Sequence, residues 1–226
     1  MTIDLQQLVK LGIIPKADDE IVIDHGVLVS NQGTDDPYDI SFGWSCVNAL
    51  TCDQSWREYR VRVLEHIKDN CNEEETQDWL SKIQTEDYHW QWISKSMQYD
   101  TDEYKWFFLK TKENIEAACL IYFPKKSALN DNDIFYVEFI AVAPWNRFSP
   151  LEKKRYNSIG KKLLQEIIKY STSTLGYQYA FCLHSLPQAQ GFYEYIGMVH
   201  IDKLDKRPLQ YYEIDNDQSM KFVGLV

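Results

Sequence analysis

Nothing in the 226-residue sequence approaches the unbroken apolar run of about 20 residues that a membrane-spanning helix needs. The opening Met1-Thr-Ile-Asp-Leu-Gln-Gln has neither the charged start nor the apolar centre of a secretion signal, so a cytoplasmic protein with no membrane partner is expected. Cysteine is sparse and unpatterned. Cys46, Cys52, Cys71, Cys119 and Cys182 are odd in number and include no Cys-x-x-Cys pair, which argues against a disulfide framework and a zinc site and for reduced, mostly buried thiols. His25, His66, His89 and His200 are scattered without metal-ligand spacing, and no metal is expected. A Gly-x-Ser-x-Gly elbow is also lacking. The neighbours His184 and Ser185 therefore do not make a hydrolase dyad, since adjacent strand residues face opposite sides; packing is expected for the histidine and helix capping for the serine. Basic residues are the minority, with Lys and Arg numbering 24 against 34 Asp and Glu, for a net charge of -10. That balance disfavours a nucleic-acid backbone as principal partner and mildly favours a cationic acceptor.

What is present is enough apolar material, 44% of residues, to bury one core. Residues 1–50 read as an N-terminal extension whose second half supplies a first strand, and 51–226 as the main domain. Ile3, Leu5, Leu8 and Leu11 share a helical face before Gly12. The apolar triplets 21–23 and 27–29 flank Asp24-His25-Gly26 as a hairpin, and 31–38 is polar and turn-rich. Thr51-x-x-Gln54 has the pattern of a capping box opening a helix through Trp56, Tyr59, Val63 and Ile67, and a second helix is expected over 74–97. Residues 103–110 and 115–123 read as an antiparallel hairpin. The aromatic group Tyr88, Trp90, Trp92, Tyr99, Tyr104 and Trp106 fits core packing first and the wall of an acceptor pocket second.

The rest is organised around 135–164. An apolar strand ending at Pro144 leads through a charged loop to a helix opening at Ser158-Ile159-Gly160, whose stripe is Ile159, Leu163, Leu164, Ile167 and Ile168. Between Phe139 and Gln165 the basic residues are Arg147, Lys153, Lys154, Arg155, Lys161 and Lys162, against the single acid Glu152. A helix start offers unpaired N–H groups and partial positive charge, so an anion is expected here. Further on, 179–184 reads as a strand, Ser185-x-x-Gln188 as a second capping box, Gly197 as a left-handed helix stop, and 199–202 and 209–214 as closing strands.

Arg155-x-x-Ser158-x-Gly160 resembles the Gln/Arg-x-x-Gly-x-Gly/Ala loop of the GNAT superfamily of acyl-CoA-dependent N-acyltransferases, and residues 183–198, ending in Phe192-Tyr193-x-x-x-Gly197-Met198, resemble its later motif. The resemblance is strong over 135–198 and weaker from about 104 to 214. Ser158 replaces the first glycine, a mild departure only if its φ is negative. Leu186 stands where many members carry asparagine, with Ser185 beside it.

The resemblance implies an α/β (α+β) fold with a mixed, mostly antiparallel sheet flanked by helices. It implies acetyl-CoA as co-substrate, held by the backbone of Ile140, Ala141 and Val142 and by the stretch Arg155, Tyr156, Asn157, Ser158, Ile159, Gly160, Lys161, with Lys162 and Arg147 as further basic contacts. Tyr193 is the implied acid for the departing thiolate. Its alternative is a core aromatic beside Phe192. An amine of pKa about 10.4 is less than roughly 0.1% neutral at pH 7, so a base or water relay matters. Glu138, between Val137 and Phe139, would have its pKa raised by burial and suit that task; an ordinary strand glutamate is the equal alternative. The expected function is N-acetyl transfer to a primary amine of a small molecule or protein. A non-catalytic acyl-CoA-binding or interaction protein on the same fold is the alternative, and a homodimer is compatible with both.

Overall fold

The computed structural model describes residues 5–225. The first helix, α1, spans Leu5–Lys10; Ile3, expected on its apolar face, lies outside the described residues. Eight strands follow: β1 (Ile21–Val29), β2 (Asp35–Phe42), β3 (Tyr104–Thr111), β4 (Ile115–Lys126), β5 (Asp133–Val142), β6 (Phe181–Ser185), β7 (Val199–His200) and β8 (Gln210–Ile214). They form one sheet in the order β1-β2-β3-β4-β5-β6-β8-β7. Among the described residues only β5 and β6 pair in parallel. A parallel neighbour requires a crossover, and α6 (Ile159–Ser173) supplies it, whereas the antiparallel pairs β1–β2, β3–β4 and β4–β5 close through short connections. The mixed, mostly antiparallel sheet with helices on both faces is the architecture the sequence implied.

On one face α6 buries Ile159, Leu163, Leu164, Ile167 and Ile168 against Phe107, Val137 and Phe181. Each such side chain contributes about 1.5–3 kcal/mol of burial. On the other face lie α2 (Cys46–Thr51), α3 (Arg57–Asn70) and α5 (Trp92–Gln98), packed through Trp56, Tyr59, Trp92, Trp106 and Trp145. The aromatic cluster is thus largely core: Trp92 and Trp106 are buried, while Trp90, Tyr99 and Tyr104 pack against the same cluster from its edge. Among the described residues no helix is long and apolar enough to cross a membrane.

Several local expectations change. Residues 21–29 form one strand, and the hairpin is β1 with β2, turning at 30–34, so half of the polar stretch 31–38 is strand. The expected boundary at residue 50 falls inside α2, and both β1 and β2 are hydrogen-bonded into the sheet. Thr51 does not cap a helix. Ser45 does, its Oγ accepting from the Asn48 N–H at 3.3 Å, while the Thr51 hydroxyl donates to the Val47 carbonyl at 2.8 Å. A single π turn over Cys52–Trp56 then joins α2 to α3.

The helix expected over 74–97 is two helices, α4 (Glu73–Lys82) and α5, with an irregular segment between them. Asn72 and Glu75 cap α4 reciprocally. Asp53, 39 residues earlier in the chain, caps α5 by accepting from the Trp92 and Ile93 N–H groups at 2.6 and 3.0 Å. Ser185 does not cap α7 (Gln190–Tyr195), since its hydroxyl donates to the Leu186 carbonyl. Glu86 accepts from the Gln188 N–H at 3.1 Å instead. Gly197 takes φ +90° and stops α7 as expected. A last helix, α8 (Asn216–Phe222), is capped by Asp215.

The segment between α4 and α5 is fixed by a buried ion pair. Arg147 donates through both Nη atoms to Asp87, at 2.7 and 2.5 Å, and Arg60 approaches the same carboxylate at 3.7 Å. Burial alone would raise the Asp87 pKa, but Arg147 and then Arg60 hold it below the usual carboxylate range. A depressed carboxyl pKa contributes stability that is present above the unfolded value and lost as pH falls through the folded one. Asp87→Ala would leave two buried guanidinium groups without a counter-ion, which costs about 3–5 kcal/mol. The expected result in thermal denaturation is a Tm lowered by about 10 °C at pH 7, with the gap to wild type narrowing as pH falls below the usual carboxylate range and the wild-type carboxylate itself protonates.

Candidate functional site

The ladder between β5 and β6 is short: Phe135, Tyr136 and Val137 pair with Phe181, Cys182 and Leu183, and there it ends. Beyond Val137 the strands diverge. On the β4 side the register slips at the same place, because Ile121 opposes Val137 and Leu120 opposes Phe139, leaving Glu138 as the extra residue of a β-bulge. The bulge reverses the alternation. Val137 packs into the α6-side core, and Phe139, two residues on, packs into the opposite one.

The Ala143 N–H donates to the Glu116 carbonyl, at 2.8 Å, which places the backbone groups of alternate residues toward β4. By that alternation the groups of Ile140 and Val142 face the gap, and those of Ala141 face β4. The Val142 carbonyl is already used, accepting from Arg147 Nε and Nη2 at 3.0 and 2.8 Å.

Across the gap stands the start of α6. Its first helical bond is Lys162 N–H to the Ser158 carbonyl, and among the described residues the N–H groups of Asn157, Ser158, Ile159, Gly160 and Lys161 meet no protein acceptor. Ser158 takes φ +59°, the left-handed conformation, contrary to the condition under which its replacement of glycine would be mild. A Cβ at Gly160 would lie 3.3 Å from Val142 Cγ1, so this glycine lets α6 sit against β5. Together these elements line a cleft of about 550 Å³ that also takes in Lys82, Lys154, Lys161 and Tyr193.

Other basic residues of the island do not converge there. Arg147 lines the cleft but is committed to Asp87 and Val142. Arg155 lies over the Trp145 ring, 5.0 Å from its centre, and beside Glu152, lining a different hollow. Lys162 reaches the Tyr38 hydroxyl at 3.1 Å on the far side of α6. The Tyr156 N–H is taken by Asn146 Oδ1 and its hydroxyl donates to Asp36, while Asn157 donates through Nδ2 to Asn31. Of the predicted side-chain cations only Lys161 is left facing the cleft, joined by Lys82 and Lys154. Lys82 carries no signal in the sequence as a site residue, since it sits in an exposed helix 79 positions before Lys161.

A second cavity, of about 510 Å³, adjoins the first. Its apolar walls come from Trp90, Phe139, Leu183, Pro187 and Leu209, and its polar groups include Glu86, His89, Tyr136, Glu138, His184 and Lys206. Tyr193 and Glu86 are the titratable residues lining both cavities. Tyr193 is buried, and that burial pushes its phenol well above the usual value, with Cys119 adding to it.

Glu138 is half-buried, and burial raises its pKa, as expected from its apolar neighbours; Lys206, Lys95 and the Tyr99 hydroxyl oppose the shift. Lys95 is lowered to about 8 by burial, Glu138 and Asp53 pulling the other way. Its Nζ sits 3.2 Å above the centre of the Phe139 ring. Unpaired amides at a helix start, an open strand edge, and the side chains of Glu138 and Tyr193 thus line contiguous space.

No family model and no curated protein matches the chain. It is similar to solved structures: an uncharacterized protein from Bacillus halodurans (8% identity, 90% of this chain and 96% of the other, TM-score 0.50), the PaiA N-acetyltransferase of Thermoplasma acidophilum in complex with coenzyme A (14%, 77% and 97%, TM-score 0.46), and an acetyltransferase from Thermus thermophilus (8%, 86% and 99%, TM-score 0.46). The first of these likenesses shows a shared fold.

Two outcomes follow for stability. A non-glycine residue at left-handed φ costs about 1–2 kcal/mol, part of which glycine gives back as unfolded-state entropy, so Ser158→Gly should gain about 0.5–1 kcal/mol in denaturant unfolding. A carboxyl with a raised folded pKa binds its proton more tightly in the native state, and stability falls as pH rises through that value. Glu138→Gln should therefore have a higher Tm than wild type at pH 7–8, with the difference closing toward pH 4.

Proposed function

We propose that the protein transfers the acetyl group of acetyl-CoA to a primary amine. The observation that carries this reading is the meeting of two cavities at Tyr193: one lined by the unpaired amides of 157–161 and the free edge of β5, the other by Glu138. The residues fit the donor's chemistry. Five unpaired N–H groups at a helix start, with Lys82, Lys154 and Lys161 around them, suit a pyrophosphate and a further phosphate. The N–H and carbonyl of Ile140 and the N–H of Val142 offer an amide-bearing arm the hydrogen bonds of a missing strand, as in strand addition to a sheet edge.

In the adjoining cavity Glu138, held partly protonated nearer neutrality than a surface glutamate, accepts the proton of the acceptor ammonium and leaves a neutral nucleophile. As the carbon–sulfur bond breaks, charge collects on sulfur. The Tyr193 phenol, whose burial disfavours its own ionisation, acts as a hydrogen-bond donor to that sulfur more than as a fully dissociating acid. Apolar walls of Trp90, Phe139 and Leu183 exclude water from the reacting atoms.

Thiol release from acetyl-CoA in the presence of a panel of primary amines tests the reading; binding of CoA with no release for any amine would overturn it in favour of a non-catalytic acyl-CoA-binding protein. Tyr193→Phe keeps the ring and removes the donor, so kcat should fall about 10²- to 10⁴-fold with little change in the CoA dissociation constant. Lys161→Ala should weaken CoA binding in calorimetry by about 1 kcal/mol, roughly fivefold, and reduce its salt dependence. Lys95→Met should move the acidic limb of the kcat profile to higher pH, because a cation that stabilises the Glu138 carboxylate is gone.

A further inference from the structure

His184 lies in the second cavity with both ring nitrogens engaged. Nε2 stands 2.9 Å from the Leu204 carbonyl, which only accepts, so Nε2 carries the hydrogen. Nδ1 then presents a lone pair, and the Tyr136 hydroxyl, 2.7 Å away, donates to it. The Tyr211 ring backs the imidazole at 5.2 Å between ring centres. Tyr136 precedes the bulged Glu138 by two residues, and both line the same cavity wall as His184. With its hydrogen given to His184, the Tyr136 oxygen keeps its lone pairs for a donor in the cavity.

We propose that Tyr136 and His184 form a proton relay that takes the second proton from the acceptor nitrogen, the one released as the new N–C bond forms. The inference rests on amine acetylation as read above. Glu138 removes the first proton, converting ammonium to amine. The nitrogen lone pair then makes the N–C bond and the C–S bonding pair leaves with sulfur as a thiolate, which accepts a hydrogen bond from the Tyr193 hydroxyl. The N–H proton passes to the Tyr136 oxygen as the Tyr136 proton passes to His184 Nδ1, giving an imidazolium whose Nε2–H stays on Leu204. The imidazolium passes its Nδ1 proton through solvent to the departing thiolate and the protonated Glu138 releases its own to solvent, so that one net proton leaves and both groups are restored.

The groups facing His184 fit an acceptor that is empty at rest. Burial, with Lys206 from the connection between β7 and β8 and Lys125 from β4, favours the neutral ring, while the Leu204 carbonyl and Asp205 moderate this. Glu138 on β5 lies close enough to raise the Tyr136 pKa, after burial, and so keeps that hydroxyl protonated between turnovers.

The test uses the full chain with acetyl-CoA and benzylamine, tyramine, spermidine and lysine methylamide as acceptors. Tyr136→Phe and His184→Gln are each expected to lower kcat at pH 7 by about 10²-fold. The double variant should be no slower than either single one, and the deficit should narrow toward pH 10, where hydroxide takes the proton. Tm and the CoA dissociation constant should be unchanged. Full turnover in Tyr136→Phe, or a deficit independent of pH, overturns the relay while leaving acetyl transfer intact. If wild type binds CoA but acetylates none of the amines, the functional reading falls and the relay falls with it. Nitrogen-15 NMR of the wild-type protein gives a readout independent of activity and of variant folding: the relay requires the Nε2–H tautomer at His184, and an Nδ1–H tautomer contradicts it.

Discussion

Two parallel strands that share only three paired positions must separate, and wherever they separate the backbone of each has lost its partner. That constraint governs this molecule. β5 leaves β6 after Val137, at the position where Glu138 is squeezed out of the ladder with β4. One irregularity thus bends the strand, aims a carboxylate into a cavity and frees the edge of Ile140 and Val142. Strand-edge groups that line a cleft without partners are free to pair with a further extended segment. The start of α6, with five unpaired N–H groups opposite, lines the other side of the same cleft.

Holding the gap open takes rigid walls, and buried carboxylates tie them together. Glu116 accepts from Trp145 Nε1 and Asn146 Nδ2, both at 2.7 Å, and fixes the turn after β5. Asp87 clamps Arg147, which in turn holds the Val142 carbonyl, so the segment between α4 and α5 is anchored to the end of the open strand. Glu86, from the same segment, caps the turn leading into α7 and thereby helps set where Tyr193 stands. Arg147 and Asp87 shape the cleft without being free to bind in it.

Elements that announce themselves locally were legible in the sequence. The α6 stripe, the β3–β4 hairpin, the strand before Pro144 and the glycine stop of α7 all follow from periodicity or from one residue's backbone freedom. The Glu138 bulge left a trace, a charged residue inside an apolar strand, though not its consequence for register. What stayed hidden depends on distant partners. Asp53 capping α5, Glu86 capping the approach to α7 and Asp87 consuming Arg147 join residues tens of positions apart, and local patterns at Thr51 and Ser185 pointed to caps that those residues do not make. The charge island was legible as composition, but the helix turns Lys162 to Tyr38 and Lys161 to the cleft, a distinction set by α6's packing on the sheet.

Acetyl-CoA is proposed to occupy one cleft, formed where β5 parts from β6 and faces the start of α6. Amide hydrogen exchange followed residue by residue by NMR, with and without saturating acetyl-CoA, tests it most directly. Occupation of this cleft requires protection and shift changes at Ile140, Val142 and the run from Asn157 to Lys161, with the amides of β1 and β7 unchanged. Protection confined to other surfaces, or none in that run despite binding, would contradict it.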